Sequence, residues 1–352
     1  MHLTDFRTLG PSGLRVSPLT LGAMTFGNPS WGTSDEDSWR IIDRYLAAGG
    51  NVIDTASLYT SGRSEQAIGA YLAQHPGVRD RLVLSTKFGG SLVPDDPNAG
   101  GNGRKAIMQA LEGSLRRLGT DYVDLYWLHN WDPHTPLEET MATLDGLVGA
   151  GKVRYIGLSN VPAWAVARAC TTAELRGRAA PIALQAEYSL LARSAEGGSF
   201  GVARELGLGV TPWSPLHGGV LSGKYSRVRP TSDTGRAVAA PLELSDEVFA
   251  LLDVIERIAD EAGGSVAAVA LAWVRRQPLV TTTLLGARTV AQLEANLASL
   301  EVELTDAQAA ELDALTTPVL EYPLTDQLLA TGPGVIQGDT TVNGVRANAI
   351  RL

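Results

Sequence analysis

One cysteine, Cys170, is all the thiol chemistry in the chain, so no disulfide can form within it and a reducing compartment is expected. A basic cluster is also missing. The 29 Lys and Arg are outnumbered by 38 Asp and Glu, for a net charge of −9 spread along the sequence. Nucleic acid is therefore not an expected partner, and any anionic ligand has to be held by a few placed cations. No apolar run approaches the length of a membrane span, and the opening residues Met1-His-Leu-Thr-Asp-Phe-Arg7 lack the apolar core of a signal peptide. The expectation is a cytoplasmic protein without a membrane partner. No HExxH, paired CxxC or clustered His and Asp set occurs, so no metal is expected. The Gly-x-Ser-x-Gly stretch Gly197-Gly-Ser-Phe-Gly201 does not directly follow a strand-like run, so it is no nucleophile elbow and hydrolase chemistry is left without support. Two glycine-rich stretches fail on context. Gly101-Asn-Gly-Arg-Lys-Ala106 does not directly follow a strand-like run, and Gly218-Gly-Val-Leu-Ser-Gly-Lys224 is one residue short of a triphosphate loop and ends in Tyr225 instead of Ser or Thr.

What is present is a repeated alternation. Residues 7–18 hold Gly10-Pro-Ser-Gly13 between two short strand-like stretches, a hairpin pattern. Strand-like runs then recur near 19–22, 51–54, 82–86, 122–128, 154–159, 182–186, 209–213 and 281–285. Helical patterns fall near 35–48, with Ser34 as N-cap and Gly49-Gly50 as stop, and near 64–73, 104–118, 137–149, 162–176 and 197–206. Two more fall at 245–262 and 265–276. Short apolar runs separated by helices describe parallel strands buried on both faces. Eight such units close into a (β/α)8 TIM barrel. An open doubly wound sheet usually carries a glycine fingerprint after its first strand, and Gly22-Ala-Met-Thr-Phe-Gly27 is not one. The whole chain, 1–352, reads as one barrel domain with 44% hydrophobic residues to fill it. Three long connections break the rhythm: Gly89 to Gly103, Leu216 to about Pro241, and the tail 318–352. The first two follow strands at the active end of such barrels and read as substrate-gating loops; the tail reads equally as a third loop or as a disordered segment.

Four polar residues mark one end of strands two, three and four. Asp54 ends Asn51-Val-Ile-Asp54, Tyr59 follows it, Lys87 ends Leu82-Val-Leu-Ser-Thr-Lys87, and His129 ends Tyr122-Val-Asp-Leu-Tyr-Trp-Leu-His129. Singly, each has a duller reading: a turn cap, a half-buried tyrosine, a solvated strand end, a satisfied core histidine. Together they suit protonation of a carbonyl oxygen. A phenol ordinarily ionises near pH 10, and an adjacent ammonium favours its ionised form. Asp54 would keep Lys87 charged, Lys87 would activate Tyr59 as general acid, and His129 would polarise the oxygen or assist the proton. Hydride must come from a cofactor, since no side chain supplies it.

This constellation resembles the tetrad of the aldo-keto reductases. Residues 50–69, Gly-Asn-Val-Ile-Asp-Thr-Ala-Ser-Leu-Tyr-Thr-Ser-Gly-Arg-Ser-Glu-Gln-Ala-Ile-Gly, are similar to the family's first signature, and Leu128-His129 with Trp131-Asp132 is similar to its His-bearing segment. The resemblance runs from Leu21-Gly22 to Asn296, toward the branch of aryl-alcohol dehydrogenases and potassium-channel β subunits. It implies catalytic roles for Asp54, Tyr59, Lys87 and His129 and a nicotinamide cofactor. Ser159, Asn160, Gln185 and Trp213 would face the nicotinamide, Trp213 by stacking, and Gly22 and Met24 would also bind the cofactor. Ser159-Asn160 also suits an N-cap ahead of Pro162. Ser214, Leu216, Gly218 and Lys224, in the stretch from Pro212 to Tyr225, would cover the pyrophosphate. Gly286, Arg288, Gln292 and Asn296 would hold the adenosine end at a helix start, where Thr289 and Gln292 have the spacing of a capping box. Arg288 suits the extra phosphate of NADPH. Ala295 stands where the channel-type branch commonly has a glutamate, a departure at the adenine contact. Phe26, Trp31, Phe88 and Trp131 are candidates to meet an aromatic substrate. The expected activity is NADPH-dependent reduction of a small-molecule aldehyde or ketone. The alternatives are a nucleotide-sugar keto- or enoyl-reductase and an NADPH-binding, redox-sensing regulatory subunit, and the sequence leaves homo-oligomer formation open.

Overall fold

A computed structural model describes residues 1–28, 30–229, 244–322, 324, 338, 340–342 and 345–346. Two short strands, β1 (Arg7–Thr8) and β2 (Arg15–Val16), form the expected antiparallel hairpin. The barrel strands follow: β3 (Leu19–Gly22), β4 (Val52–Asp54), β5 (Val83–Phe88), β6 (Val123–Leu128), β7 (Val153–Ser159), β8 (Pro181–Glu187), β9 (Gly209–Trp213) and β10 (Thr283–Gly286). They are paired in the order β10-β3-β4-β5-β6-β7-β8-β9, every neighbour parallel. A parallel bridge between Val210 and Val280, with Thr281 N–H donating to Val210 O at 2.8 Å, joins the two ends. The result is a (β/α)8 barrel. The last strand begins two residues later than its apolar run because 279–281 only bridge to β9. Two further residue pairs, Thr341–Val342 and Val345–Arg346, form β11 and β12 in the tail; most of that tail (323, 325–337, 339, 343–344 and 347–352) and loop residues 230–243 fall outside the described residues.

Helices alternate with the strands: α1 (Asp35–Ala47), α2 (Arg63–Gln74), α3 (Arg104–Leu118), α4 (Leu137–Gly149), α5 (Ala163–Leu175) and α6 (Gly198–Glu205). Then come α7 (Asp246–Ala262), α8 (Val266–Arg276), α9 (Val290–Leu297) and α10 (Asp306–Leu315). Helix α1 begins as expected, with the Ser34 side chain accepting from Asp37 N–H and three acidic residues complementing the helix N-terminus. Its face of Ile41, Ile42 and Tyr45 is fully buried. Helix α8 is buried from Ala267 through Val274, which explains why its sequence lacks a polar face. Helix α10 was not among the expected helices, although Thr305 and Gln308 form a complete capping box at its start.

The hairpin covers the barrel end opposite the strand C-termini. Leu9 and Val16 are buried with Val52, Val83, Leu125, Trp127, Ile182 and Ala183. Arg7 donates to the carbonyls of Val280 and Thr281 at 3.1 and 3.2 Å. Gly10 has φ +56°, and a Cβ there would lie 2.0 Å from Ile182 O, so the turn admits only glycine. Inside the barrel Gly157 leaves room for the Trp127 ring, which a Cβ would meet at 2.2 Å. Cys170 lies on the buried face of α5, and burial pushes its thiol up to about 11. Among the described residues no helix is long and apolar enough to cross a membrane.

Candidate active site

Strand period and strand end together bring the four polar residues to one point. Asp54 is the last residue of β4, Lys87 the penultimate residue of β5, and His129 the first residue past β6. Tyr59 opens a short 3-10 turn, Tyr59–Gly62, in which Thr60 and Ser61 take φ of 51° and 55°. Lys87 is wholly buried. Its ammonium contacts Asp54 Oδ2, donates to Thr55 O at 2.9 Å and to Tyr59 Oη at 3.3 Å. Burial favours the neutral amine, but the charge of Asp54 and the contact with Tyr59 outweigh it, so Lys87 is held more basic than a free lysine. Asp54 is buried too, and its other oxygen accepts from Ser85 Oγ at 2.6 Å. Ser85 lies two residues before Lys87, on the same side of β5.

His129 meets the Tyr59 ring edge-on, with centroids 5.6 Å apart. Burial and the Lys87 charge lower its pKa to about 3, so the imidazole is neutral at ordinary pH. Its Nδ1 is buried without a partner among the described residues.

These groups open into a cavity of about 930 Å³ that runs across the strand C-termini. Gly22, Met24, Ser159, Asn160, Gln185 and Trp213 line one part of it. Among the described residues Ser159 Oγ and Gln185 Nε2 are buried with no hydrogen-bond partner, two orphaned polar atoms that fit the amide of a nicotinamide. Asn160 is different. Its amide already donates to His129 O at 2.9 Å and Asn130 Oδ1 at 3.3 Å, and accepts from Trp213 Nε1 at 3.2 Å. It therefore ties the His129 strand end to the indole, at φ 52°. It does not cap α5, whose N-cap is Pro162 without a side-chain bond.

Ser214, Leu216, Gly218 and Lys224 line the next stretch, where Ser214, His217, Gly218 and Gly219 all have positive φ. Lys224 is held less basic than a free lysine, by burial first and by the charge of Arg288 second. Two cations thus face the same end of the cavity, which suits phosphate. Gly286, Arg288, Gln292 and Asn296 line that end with Ala295. Thr289 Oγ1 accepts from Gln292 N–H as expected, but the Gln292 side chain accepts from Arg288 N–H at 2.8 Å and so reaches one residue beyond a capping box. Asn296 Nδ2 donates to Gly286 O at 3.1 Å and fixes the same turn.

Of the four aromatic candidates for substrate contact, only Trp31 lines this cavity. Phe26 and Phe88 are fully buried in the core outside it, because Phe88 follows Lys87 on β5 and so points to the opposite face. Trp131 lines a smaller neighbouring pocket. Several lining residues carried no signal in the sequence: Ala267 and Leu271 come from buried α8, and Leu58 and Asn130 flank expected residues.

A family model described as the aldo/keto reductase family matches residues 18–317. The chain is 38% identical to the oxidoreductase YrpG of Bacillus subtilis, over 85% of this chain and 92% of that one. It is 35% identical to the norsolorinic acid reductase stcV of Emericella nidulans, over 87% and 80%. It is 34% identical to the aryl-alcohol dehydrogenase GME11368 of Pestalotiopsis microspora, over 96% and 88%.

Proposed function

This chain belongs to the aldo/keto reductase family and is an oxidoreductase acting on carbonyl compounds, and from that premise we propose that it reduces aldehydes or ketones, aromatic ones foremost, to alcohols with NADPH as reductant. The observation that carries the proposal is the buried Lys87 ammonium, with Asp54, Thr55 O and Tyr59 as its three acceptors. A lysine has three donors and no acceptor. The Tyr59 hydroxyl therefore receives a hydrogen bond from Lys87 and keeps its own proton for an acceptor in the cavity. Tyr59 gives that proton to the carbonyl oxygen as negative charge gathers there. Neutral His129 offers an N–H to the same oxygen. Asp54, steadied by Ser85, keeps Lys87 charged throughout.

When bound, the nicotinamide supplies the hydride. Ser159 and Gln185 hold its amide, Trp213 offers a flat indole to its ring, and Lys224 and Arg288 hold the phosphates. The arginine favours NADPH over NADH, since a guanidinium matches the extra phosphate and gains little from a free hydroxyl. Support for aromatic acceptors comes from Trp31 and Leu58 in the cavity wall and from relatives named for an aryl alcohol and for norsolorinic acid.

The test is NADPH oxidation, followed by absorbance, with aromatic, aliphatic and sugar carbonyls. Loss of a positioned general acid lowers turnover by about 10²–10⁴-fold, so Tyr59→Phe should lose turnover on that scale while still binding NADPH. Tight NADPH binding by the wild type with no turnover of any carbonyl would overturn the proposal. A preference for sugar nucleotides would replace the aromatic class with keto sugars.

A further inference from the structure

A second pocket of about 350 Å³ adjoins the main cavity, and the two share Asn160 and Gln185 as a common wall. We propose that this pocket is an acceptor subsite that takes an aromatic arm bearing a hydrogen-bond donor, which gives the enzyme selectivity for elongated carbonyl compounds. The inference rests on the reductase reading above and adds the substrate class.

Position comes first. Trp131 lies two residues past His129, and its N–H donates to Asn160 O at 3.2 Å. A substrate with its carbonyl at Tyr59 and His129 thus has the pocket beside it, past the Asn160 side chain. An apolar cavity of about 150 Å³ already holds a benzene ring, so the second pocket has room for one substituted ring.

The walls select what enters. Trp131 is half-buried and meets Trp164 edge-on, with centroids 5.4 Å apart at 80°, so its indole offers the pocket an aromatic surface. Val161, Pro162 and Ala195 add apolar area. Glu187 lines the pocket with them, two residues after Gln185 on β8 and so on the same side of that strand. Glu187 is exposed, lines the pocket, and makes no hydrogen bond or ion pair among the described residues. An unpaired carboxylate beside an indole attracts a phenolic hydroxyl or an ammonium and repels a carboxylate.

The pocket is also preformed. Ser194 and Ala195 line it, and the turn that carries them is pinned from both sides. Arg193 donates to Glu196 at 2.7 and 3.1 Å and to Thr316 Oγ1 at 2.8 Å, while buried Tyr188 donates to Glu196 at 2.6 Å. A rigid wall loses little entropy when a ring docks on it.

The experiment compares kcat/KM for four aldehydes with one benzaldehyde head. Three carry a distal aryl arm ending in a phenol, an ammonium or a methyl ether; the fourth has no arm. The wild type should prefer the phenol and ammonium arms over the ether. In Glu187→Gln that preference should fall about tenfold, the worth of one hydrogen bond to a charged group. Raised salt should weaken only the ammonium arm. Trp131→Phe should lower kcat/KM for all three arms relative to the armless aldehyde. Turnover of the armless aldehyde with no preference in the wild type, or with a preference unchanged in Glu187→Gln, overturns this inference alone. No turnover of any of the four overturns the reductase reading and the subsite with it.

Discussion

The pair most exposed to test by mutation lies just behind the cluster of Asp54, Lys87 and Tyr59. Glu65 of α2 is wholly buried, and its carboxylate accepts from Thr86 Oγ1 at 2.5 Å and from Arg117 Nε at 2.7 Å. Thr86 precedes Lys87 on β5, so this contact fixes the outer face of the strand whose inner face carries the ammonium. Arg117→Met keeps most of the aliphatic stem and removes the charge, leaving a buried carboxylate with one neutral donor. Breaking a buried pair on one side costs about 3–5 kcal/mol, and the side chain of Arg117 is 20% exposed, which favours the lower end, about 3 kcal/mol. Over 352 residues, with an unfolding entropy of about 2.1 cal/mol/K per residue, that loss lowers Tm by about 4 °C. The assay is scanning calorimetry at one scan rate on wild type, Arg117→Met and the double variant Glu65→Gln/Arg117→Met. Removing the stranded charge should restore at least half of the loss. A shift below about 1 °C in the single variant, against the scale expected for a buried pair, or a double variant less stable than the single, would refute the reasoning.

Arg288→Leu should weaken NADPH by about tenfold or more, the worth of a charge-assisted contact, and leave NADH nearly unchanged; equal affinity of the wild type for both cofactors would sink the phosphate assignment. His129, with a pKa near 3 in the fold against 6.5 in an unfolded chain, should show no titration by NMR between pH 5 and 8. The unfolded chain binds a proton that the fold refuses, so this contribution to stability is complete above about pH 6.5 and is lost as pH falls toward 3. A His129 resonance that titrates near 6.5 would contradict the neutral imidazole. Gly157→Ala drives a methyl against Trp127 and should lower stability by about 1–3 kcal/mol; a calorimetric Tm equal to that of the wild type would show that the ring moves aside freely.

Most of the barrel was legible because its signal is physical and local. A parallel strand covered on both faces has to be short and apolar, and all eight runs appear as strands near their expected bounds. Asp54, Lys87 and His129 were legible because strand ends of a barrel share one rim. Side-chain direction past a strand end was harder to read. Phe88 passed for a wall residue although its place beside Lys87 turns it into the core, and Phe26 failed likewise in a loop. The cavity surface from α8 was illegible, since an all-apolar helix gives no hint of which residue reaches a cavity. Glu187 escaped because an exposed acidic residue carries no pattern; only its place above Gln185 on β8 marks it. Asn160 showed its amide type and not its partners, which long-range contacts to β6 and β9 decide.

The buried thiol of Cys170 has a chemical consequence for an enzyme that handles carbonyl compounds. Aldehydes and their unsaturated relatives modify proteins at thiols and amines. Here the one thiol is shielded and kept protonated by burial. Lysines number four, Lys87, Lys105, Lys152 and Lys224, with arginine supplying the remaining positive charge. Of these, Lys87 is wholly buried and Lys152 is paired with Glu112. The catalyst therefore offers its own reactive substrates very few sites to derivatise, and its working life among electrophiles should exceed that of a lysine-rich barrel of equal stability.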